Sequence, residues 1–379
     1  MRMRQVHISP SPFGGPSYNR DFEASNWRHK ISATIGFDTA SFMIRASKED
    51  LEELFLEGCG RKITRYAPDG NFTVWEGYIS EMILTEPGFQ MRISLKEMAN
   101  GIIVRYIPLD TTTNPPTASA EDYTTPVDDA TSQTKYGVKQ YVFTPPNNRM
   151  TTTDANQFAN TLLAHYRMPI RSGLSFGNRN EVGLQVMCEG YMHTLDWHTY
   201  IQWAVSGTDN ASTIISTIEA AVQQGFIAST DIDTNTTQVR KYYLRYDTGY
   251  DLIRQIASFG DSSYNRWLAY VLEDRVFHYK QASSSIKYLR RTTDQRQEFI
   301  DIGSGRVIPY WELRPNNWIR TMDVLPFVIP PASLKNDFQA AYIESIEWTE
   351  PDGLQIEGST GDNLQVMIAR MAAHGDMLL

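Results

Sequence analysis

The sequence predicts an α+β fold dominated by antiparallel β-structure, in which two related small β-barrel domains flank an α+β middle domain. Three observations carry this expectation. Two-residue hydrophobic alternation crowds the first hundred residues, capped helices interleave with short strands between about 206 and 300, and a hairpin near residue 80 recurs near residue 345. A chain of 379 residues has room for two or three units with cores of their own.

Residues 30–37 (Lys-Ile-Ser-Ala-Thr-Ile-Gly-Phe) alternate apolar and polar groups, as a strand with one buried face does. Ser47-Lys-Glu-Asp50 is close to a capping box. It opens a helix whose apolar stripe is Leu51, Leu54, Phe55 and Leu56, and Gly58 is expected to stop that helix in a left-handed cap. Residues 62–66 and 72–79 pair around Ala67-Pro-Asp-Gly70, and a second hairpin joins 79–85 to 89–95 around Glu86-Pro87-Gly88. Residues 1–107 are therefore assigned to a first barrel carrying one helix. The composition then turns to Thr, Pro, Ser and Asp, which bury little apolar surface, so 108–137 is expected to be an exposed loop or arm.

Residues 138–205 are read as connecting strands and helices. They hold a helix at 154–166 built on Phe158, Leu162, Leu163 and Tyr166, a strand at 183–188 and a helix at 191–205. In the α+β unit, 206–300, Ser212 caps a helix ending at Gly225 and Thr248 caps one ending at Gly260. Strands are expected at 239–246, 267–272 and 276–279, the last two joined by a tight Glu273-Asp274 turn. The second barrel, 301–379, takes strands at 318–324, 342–348 and 354–357 and a final helix at 362–371.

The repeat is the most informative feature. Residues 78–90 read Tyr-Ile-Ser-Glu-Met-Ile-Leu-Thr-Glu-Pro-Gly-Phe-Gln, and residues 342–355 read Tyr-Ile-Glu-Ser-Ile-Glu-Trp-Thr-Glu-Pro-Asp-Gly-Leu-Gln. With Asp352 as a turn insertion, Tyr, Ile, Thr, Glu, Pro, Gly and Gln coincide. Each copy follows another strand, at 62–65 or 318–321. A recurrent hairpin is one reading; the shared context favours duplication of a small barrel, and a chain with two such barrels forms a six-barrel ring from three copies.

Formal net charge is −9 and no Lys/Arg run exceeds Arg290-Arg291, unlike a protein that grips nucleic acid by its phosphates. The basic and aromatic alternation at 240–246 reads as a half-buried strand with Arg on its wet face. The basic start runs into Ser-Pro-Ser-Pro with no apolar core, and no stretch is long and apolar enough for a bilayer crossing, so the expectation is folding in a reducing cytosol. There Cys59 and Cys188 are expected to be buried thiols, without neighbours at metal-ligand spacing. The 20 Tyr and 8 Trp favour strands and subunit contacts.

His193-Thr-Leu-Asp196-Trp-His198 is the densest titratable cluster, yet its spacing does not assemble a third ligand. Asp231-Ile-Asp233-Thr-Asn235 starts like a calcium loop but has Thr236 where a glycine belongs and Tyr242 where a bidentate Glu belongs. Gly58-Cys-Gly60 follows a helix C-terminus, which disfavours a thiolate. With no phosphate loop, serine elbow or paired carboxylates, the chain is expected to be no enzyme, with no catalytic, cofactor-binding or metal residues and no cofactor.

The order of elements resembles the baseplate-hub or tail-tip hub proteins of tailed bacteriophages. The resemblance rests on Val74-Trp-Glu-Gly-Tyr-Ile79 leading into the repeated hairpin, Leu184-Gln-Val-Met-Cys-Glu-Gly190, the strand at 286–288, and Arg314-Pro-Asn-Asn-Trp-Ile-Arg320 as the turn into the second barrel. It covers most of the chain in outline. The segment at 108–135 is longer than in a minimal hub, and no lysozyme or peptidase extension follows the second barrel.

The resemblance implies a virion protein, assembled in the host cytoplasm, whose homotrimer forms a pseudo-six-fold ring that caps the tail tube. It further implies a lumen through which DNA passes, and partners among tail-tube, distal-tail, fibre, spike or tape-measure proteins. Two other readings stand beside it: a six-fold distal-tail or other baseplate ring protein, and a carbohydrate-binding adhesin module, for which three or more aromatics exposed in a row on one sheet face would speak.

Overall fold

A computed structural model describes residues 5–13, 18–175, 182–200, 207–222, 225–240, 248–282, 287–291, 298–301, 304–315, 319–321, 341–350, 353–359 and 368. Strands β1 (Gln5–Ser9), β2 (Arg20–Ser32) and β3 (Gly36–Ile44) open the chain, followed by helix α1 (Lys48–Glu57). Next come β4 (Lys62–Tyr66), β5 (Thr73–Glu86) and β6 (Phe89–Ser94).

These strands close into a barrel, though not by themselves. The antiparallel ladders run β1 to β2, β2 to β3, β4 to β5 and β4 back to β1, and the gap between β3 and β5 is filled by β14 (Gly183–Glu189), which pairs with both. The first barrel is thus six-stranded and takes its last strand from a segment that the sequence placed among connecting elements. Nothing local marks that strand as the partner of two others a hundred residues away.

The barrel interior is solid. Trp27 stacks on Phe42 with centroids 5.0 Å apart, and Trp75 meets Trp27 edge-on at 6.3 Å and Phe37 at 6.1 Å. Side chains fill a barrel of so few strands, so nothing passes through it. The inward residues of β2 show how the chain arranges this. Phe22 and Ala24 point in, then the parity switches and Trp27, His29 and Ile31 point in. The switch is a bulge, with Asn26 at φ 54° and the register shifting between Ser25 and Arg28.

Helix α1 starts where expected, with the Ser47 hydroxyl accepting from the Asp50 N–H, and lays Leu51, Leu54 and Phe55 on the core. Leu56 is instead exposed, and Gly58 is right-handed; the left-handed residue is Gly60, two positions on.

The segment at 108–137 differs from a free loop. Strand β7 (Gly101–Asp110) is the spine of a projecting arm, and β8 (Thr117–Ala118), β9 (Asp122–Tyr123) and β10 (Val127–Asp128) zip antiparallel along it. After α2 (Ala130–Tyr136), β11 (Gln140–Phe143) and β12 (Arg149–Met150) run parallel on β7. Helix α3 (Thr152–Tyr166), capped by Thr151, packs Ala155, Ala159 and Leu163 against Ile102, Val104 and Tyr106 as a small second core. Polar composition hid these pairings because backbone hydrogen bonds, not apolar side chains, hold them. Only the tip around 111–116 is a turn. Strand β13 (Ile170–Ser175) then returns to pair with β6.

In place of the helix expected at 191–205 there is a 3₁₀ helix at Tyr191–Trp197 that ends at an extended His198, with Thr199 bridging to Thr248; 201–205 lie outside the described residues. Beyond it follow β15 (Thr208–Asn210), α4 (Ala211–Val222), β16 (Ser229–Ile232), β17 (Gln238–Arg240) and α5 (Gly249–Ser258). Strands β18 (Trp267–Val271) and β19 (Val276–Gln281) complete the unit as an antiparallel pair, with β16 parallel on β19. Thr248 caps α5 as its sequence indicates. The unit shares the barrel's core: Phe226 stacks on Tyr78 and Tyr191 at 5.0 and 5.6 Å and meets Trp197 edge-on. Most of the basic and aromatic stretch at 240–246 lies outside the described residues, Arg240 ending β17.

The last described strands are β20 (Lys287–Arg291), β21 (Glu298–Asp301), β22 (Val307–Pro309), β23 (Ile319–Thr321), β24 (Ala341–Thr349) and β25 (Gly353–Ser359), paired as a ladder. Closure of this ladder into a second barrel and the final helix expected at 362–371 fall on residues outside those described, Ile368 apart. No helix among the described residues is long and apolar enough to cross a membrane.

Candidate functional site

The sequence repeat has a structural counterpart. The first copy is the β5–β6 hairpin, with Glu86 opposite Phe89, and the second is β24–β25, with Thr349 opposite Gly353. The aligned glycines Gly88 and Gly353 have φ of 92° and 99°, the left-handed region that glycine enters freely, Gly88 within its turn and Gly353 paired with Thr349. Each hairpin has an antiparallel strand on the side away from its return strand: β14 on β5 and β2 on β24. The preceding strand differs, since β4 joins β5 on the β6 side whereas β23 joins β24 on the side of β2. Strand β25 reaches back to Tyr342 and fills the edge that the shorter β6 leaves to β4.

Strand β2 creates the junction because it is 13 residues long and β1 covers only its first half. Its second half projects an edge on which Arg28 to Ser32 pair with Thr349 to Ser345. The two β units thereby become one continuous sheet.

Buried cations lock the junction. Arg314, 2% exposed, donates to the carbonyls of Trp311 (2.9 Å), Leu313 (3.0 Å) and Thr73 (2.6 Å) and to the Glu273 carboxylate at 3.3 Å. Its guanidinium also lies over the rings of Phe72 and Phe37. One side chain so ties the C-terminal segment to β5 of the barrel and to the turn between β18 and β19. Arg65 stacks on Trp27 at 4.5 Å, and Tyr310 stacks on Trp348 at 4.1 Å.

Between these guanidiniums, His29 is sealed from water and accepts the Trp27 Nε1–H at 2.7 Å, which requires an unprotonated Nδ1. Burial holds its imidazole well below the usual value, with Arg65 and Arg314 adding to the push. On the rim, Arg28 pairs with Glu347 and Arg266 with Glu344.

The residues singled out from sequence serve packing or lie apart. His193 Nε2 is 2.9 Å from Asp38 Oδ1 and its ring stacks on Tyr250, while Asp196 is exposed and His198 half-buried. No group of three His, Cys, Asp or Glu suited to a metal is found among the described residues. Asp231 pairs with Lys280 at 2.6 Å, and Asn235 is buried on the Gly260 carbonyl and Tyr279 hydroxyl. Cys59 and Cys188 are free and buried; burial pushes Cys59 up to about 12 and Cys188 well above the usual thiol range. The exposed tyrosines Tyr66, Tyr141 and Tyr264 lie on separate elements, with no row on one sheet face among the described residues.

Sequence reasoning missed His29, Arg65 and Arg314, which the fold brings together at the junction, and Lys139 in a separate cleft below the barrel. A faint signal was present in Trp27-Arg-His-Lys-Ile31, where a histidine occupies the apolar parity of a strand.

No family model matches the chain, and no curated protein matches it in sequence. Among solved structures, it is similar to the c3393 protein of E. coli, described as a component of the type VI secretion system with structural similarity to the T4 bacteriophage tail proteins gp27 and gp5. The identity is 9%, with 93% of this chain and 76% of that chain covered and a TM-score of 0.42. It is likewise similar to the 43 kDa tail protein of prophage MuSo2 from Shewanella oneidensis, at 9% identity, with 95% and 98% covered and a TM-score of 0.41.

Proposed function

We propose that the chain is a non-enzymatic structural component of a phage-type tail, a hub whose three copies form a pseudo-six-fold ring at the tip of the tail tube. The observation that carries this reading is the junction. The barrel over-extends one strand, and a second copy of its own hairpin sits on the exposed edge, so one chain presents two like β units side by side. Three such pairs close a ring that matches a six-fold tube. Because the barrel interior is filled by Trp27, Phe42 and Trp75, the lumen for DNA lies between barrels, around the ring axis. An acidic balance of −9 lets DNA slide without sticking there. Connection to fibre, spike or lytic proteins falls to surfaces away from the tube, among them the arm on β7, whose residues 110–122 are all exposed.

The titratable groups support a structural role, since His193, Asp231 and His29 are spent on packing contacts. The test is the native mass of the purified full chain at micromolar concentration, with class-averaged electron micrographs. The expected result is three chains in a ring with six lobes. A six-chain ring would transfer the reading to a distal-tail type of protein, and a monomer at all concentrations would overturn it.

A further inference from the structure

Below the barrel, where β5, the end of β14, the β6–β7 connection and the 3₁₀ helix meet, a cleft of about 250 Å³ is lined by Tyr78, Lys96, Lys139, Glu189, Asp196 and Trp197, among others. Its charges are arranged unevenly. Glu189 is already satisfied: Oε2 accepts the Tyr78 hydroxyl at 2.6 Å and Oε1 faces Lys96 Nζ at 3.4 Å. Among the described residues, Lys139 has no carboxylate at hydrogen-bond distance. Its Nζ donates to the carbonyls of Leu95 at 2.5 Å and Lys96 at 3.0 Å and lies 5.5 Å from the Trp197 ring centre, leaving one of its three N–H groups for the cleft. Asp196 stands exposed at the mouth without a hydrogen-bond or ion-pair partner among the described residues.

A largely buried ammonium held only by neutral carbonyls is an incompletely compensated charge, and such groups gain most from an anionic ligand. Burial brings Lys139 down to about 8, with Glu189 and Asp196 pulling the other way through space. A bare anion would meet those two carboxylates and be repelled. A ligand carrying its own ammonium would be held by Asp196, since Glu189 is already engaged by Tyr78 and Lys96. The volume lies just under the roughly 300 Å³ at which drug-sized pockets begin, so the ligand is small.

We propose that this cleft binds a small zwitterion of the α-amino-acid class, its carboxylate on the Lys139 ammonium, its ammonium on Asp196, and its side chain against Trp197. The inference does not depend on the ring reading above. It is tested on the full chain by calorimetric titration with alanine, acetate and methylammonium as separate probes. Alanine is expected to bind about tenfold or more tightly than either half-ligand. Lys139→Met should weaken alanine about tenfold, and Asp196→Asn should remove the preference for alanine over acetate. Alanine binding that is absent, or unchanged in Lys139→Met, would overturn the proposal. Should that variant not fold, limited acetylation of the unaltered protein decides, read by peptide mass: alanine must slow modification of Lys139 and leave Lys48 unaffected, and equal rates with and without alanine refute the site.

Discussion

Single side chains at the junction and in the α+β unit make opposite demands on pH. Glu219 on α4 is 3% exposed, and its Oε1 has no hydrogen-bond partner among the described residues. Burial raises its carboxyl from the usual 4.5 to about 7. The folded chain therefore holds a proton that the unfolded chain has released, and stability declines as pH rises from 4.5 to 7, then stays level. Glu219→Gln is expected to stabilise the protein by about 1–2 kcal/mol at pH 8, after discounting for screening, and to make no difference near pH 4.5, as read by urea unfolding. His29 works the other way. Its folded value lies below the usual 6.5, so its share of stability is complete above that pH and is lost as pH falls below it. In the Glu219→Gln background, midpoints should fall as pH drops from 7 to 5, and His29→Gln should flatten that slope. Arg314 is the costliest residue to remove, because three main-chain carbonyls and Glu273 lose their donor together. Arg314→Met is expected to cost about 3–5 kcal/mol, with the earliest loss of hydrogen-exchange protection in β24.

Strands and turns show where local chemistry ends and fit begins. Gly190 is ordinary by sequence, but a Cβ there would lie 1.7 Å from the Phe37 carbonyl oxygen, where β14 closes against β3. Gly88 has nothing within 4 Å, so alanine there meets only the strain of its left-handed backbone. Gly88→Ala is therefore expected to cost about 1–2 kcal/mol, and Gly190→Ala clearly more, compared by thermal unfolding. The caps at Ser47 and Thr248 and both hairpins were legible because each is decided within a few residues, whereas Ser212, expected as a cap, lies inside α4, which starts at Ala211. The bulge at Asn26 was not legible, since it serves to turn Trp27 inward and no neighbour in sequence requires it. The pairings within the arm were hidden for a related reason, its strands being polar; replacing 111–116 by a two-residue turn should leave unfolding within a few degrees, because the zipped pairs with β7 begin only at Asp110 and Thr117.

For the whole molecule, the sequence by itself determined the β-rich class, the α+β middle, the hairpin copies near residues 80 and 345 and the lack of a template for catalysis. All of these depend on short-range periodicity, on turn residues or on direct self-comparison. Only the tertiary structure decided that β14 is the sixth strand of the first barrel, that the arm at 108–137 zips along β7, that β2 carries the second hairpin on its edge, and that His29, Arg65 and Arg314 meet in one buried cluster. The physical reason is that strand pairing and charge burial join residues outside any local pattern, from Leu109 with Ala118 in the arm to Arg28 with Thr349 at the junction. The free energy of each such contact resides in geometry that the chain acquires only on closing, so no local pattern announces it.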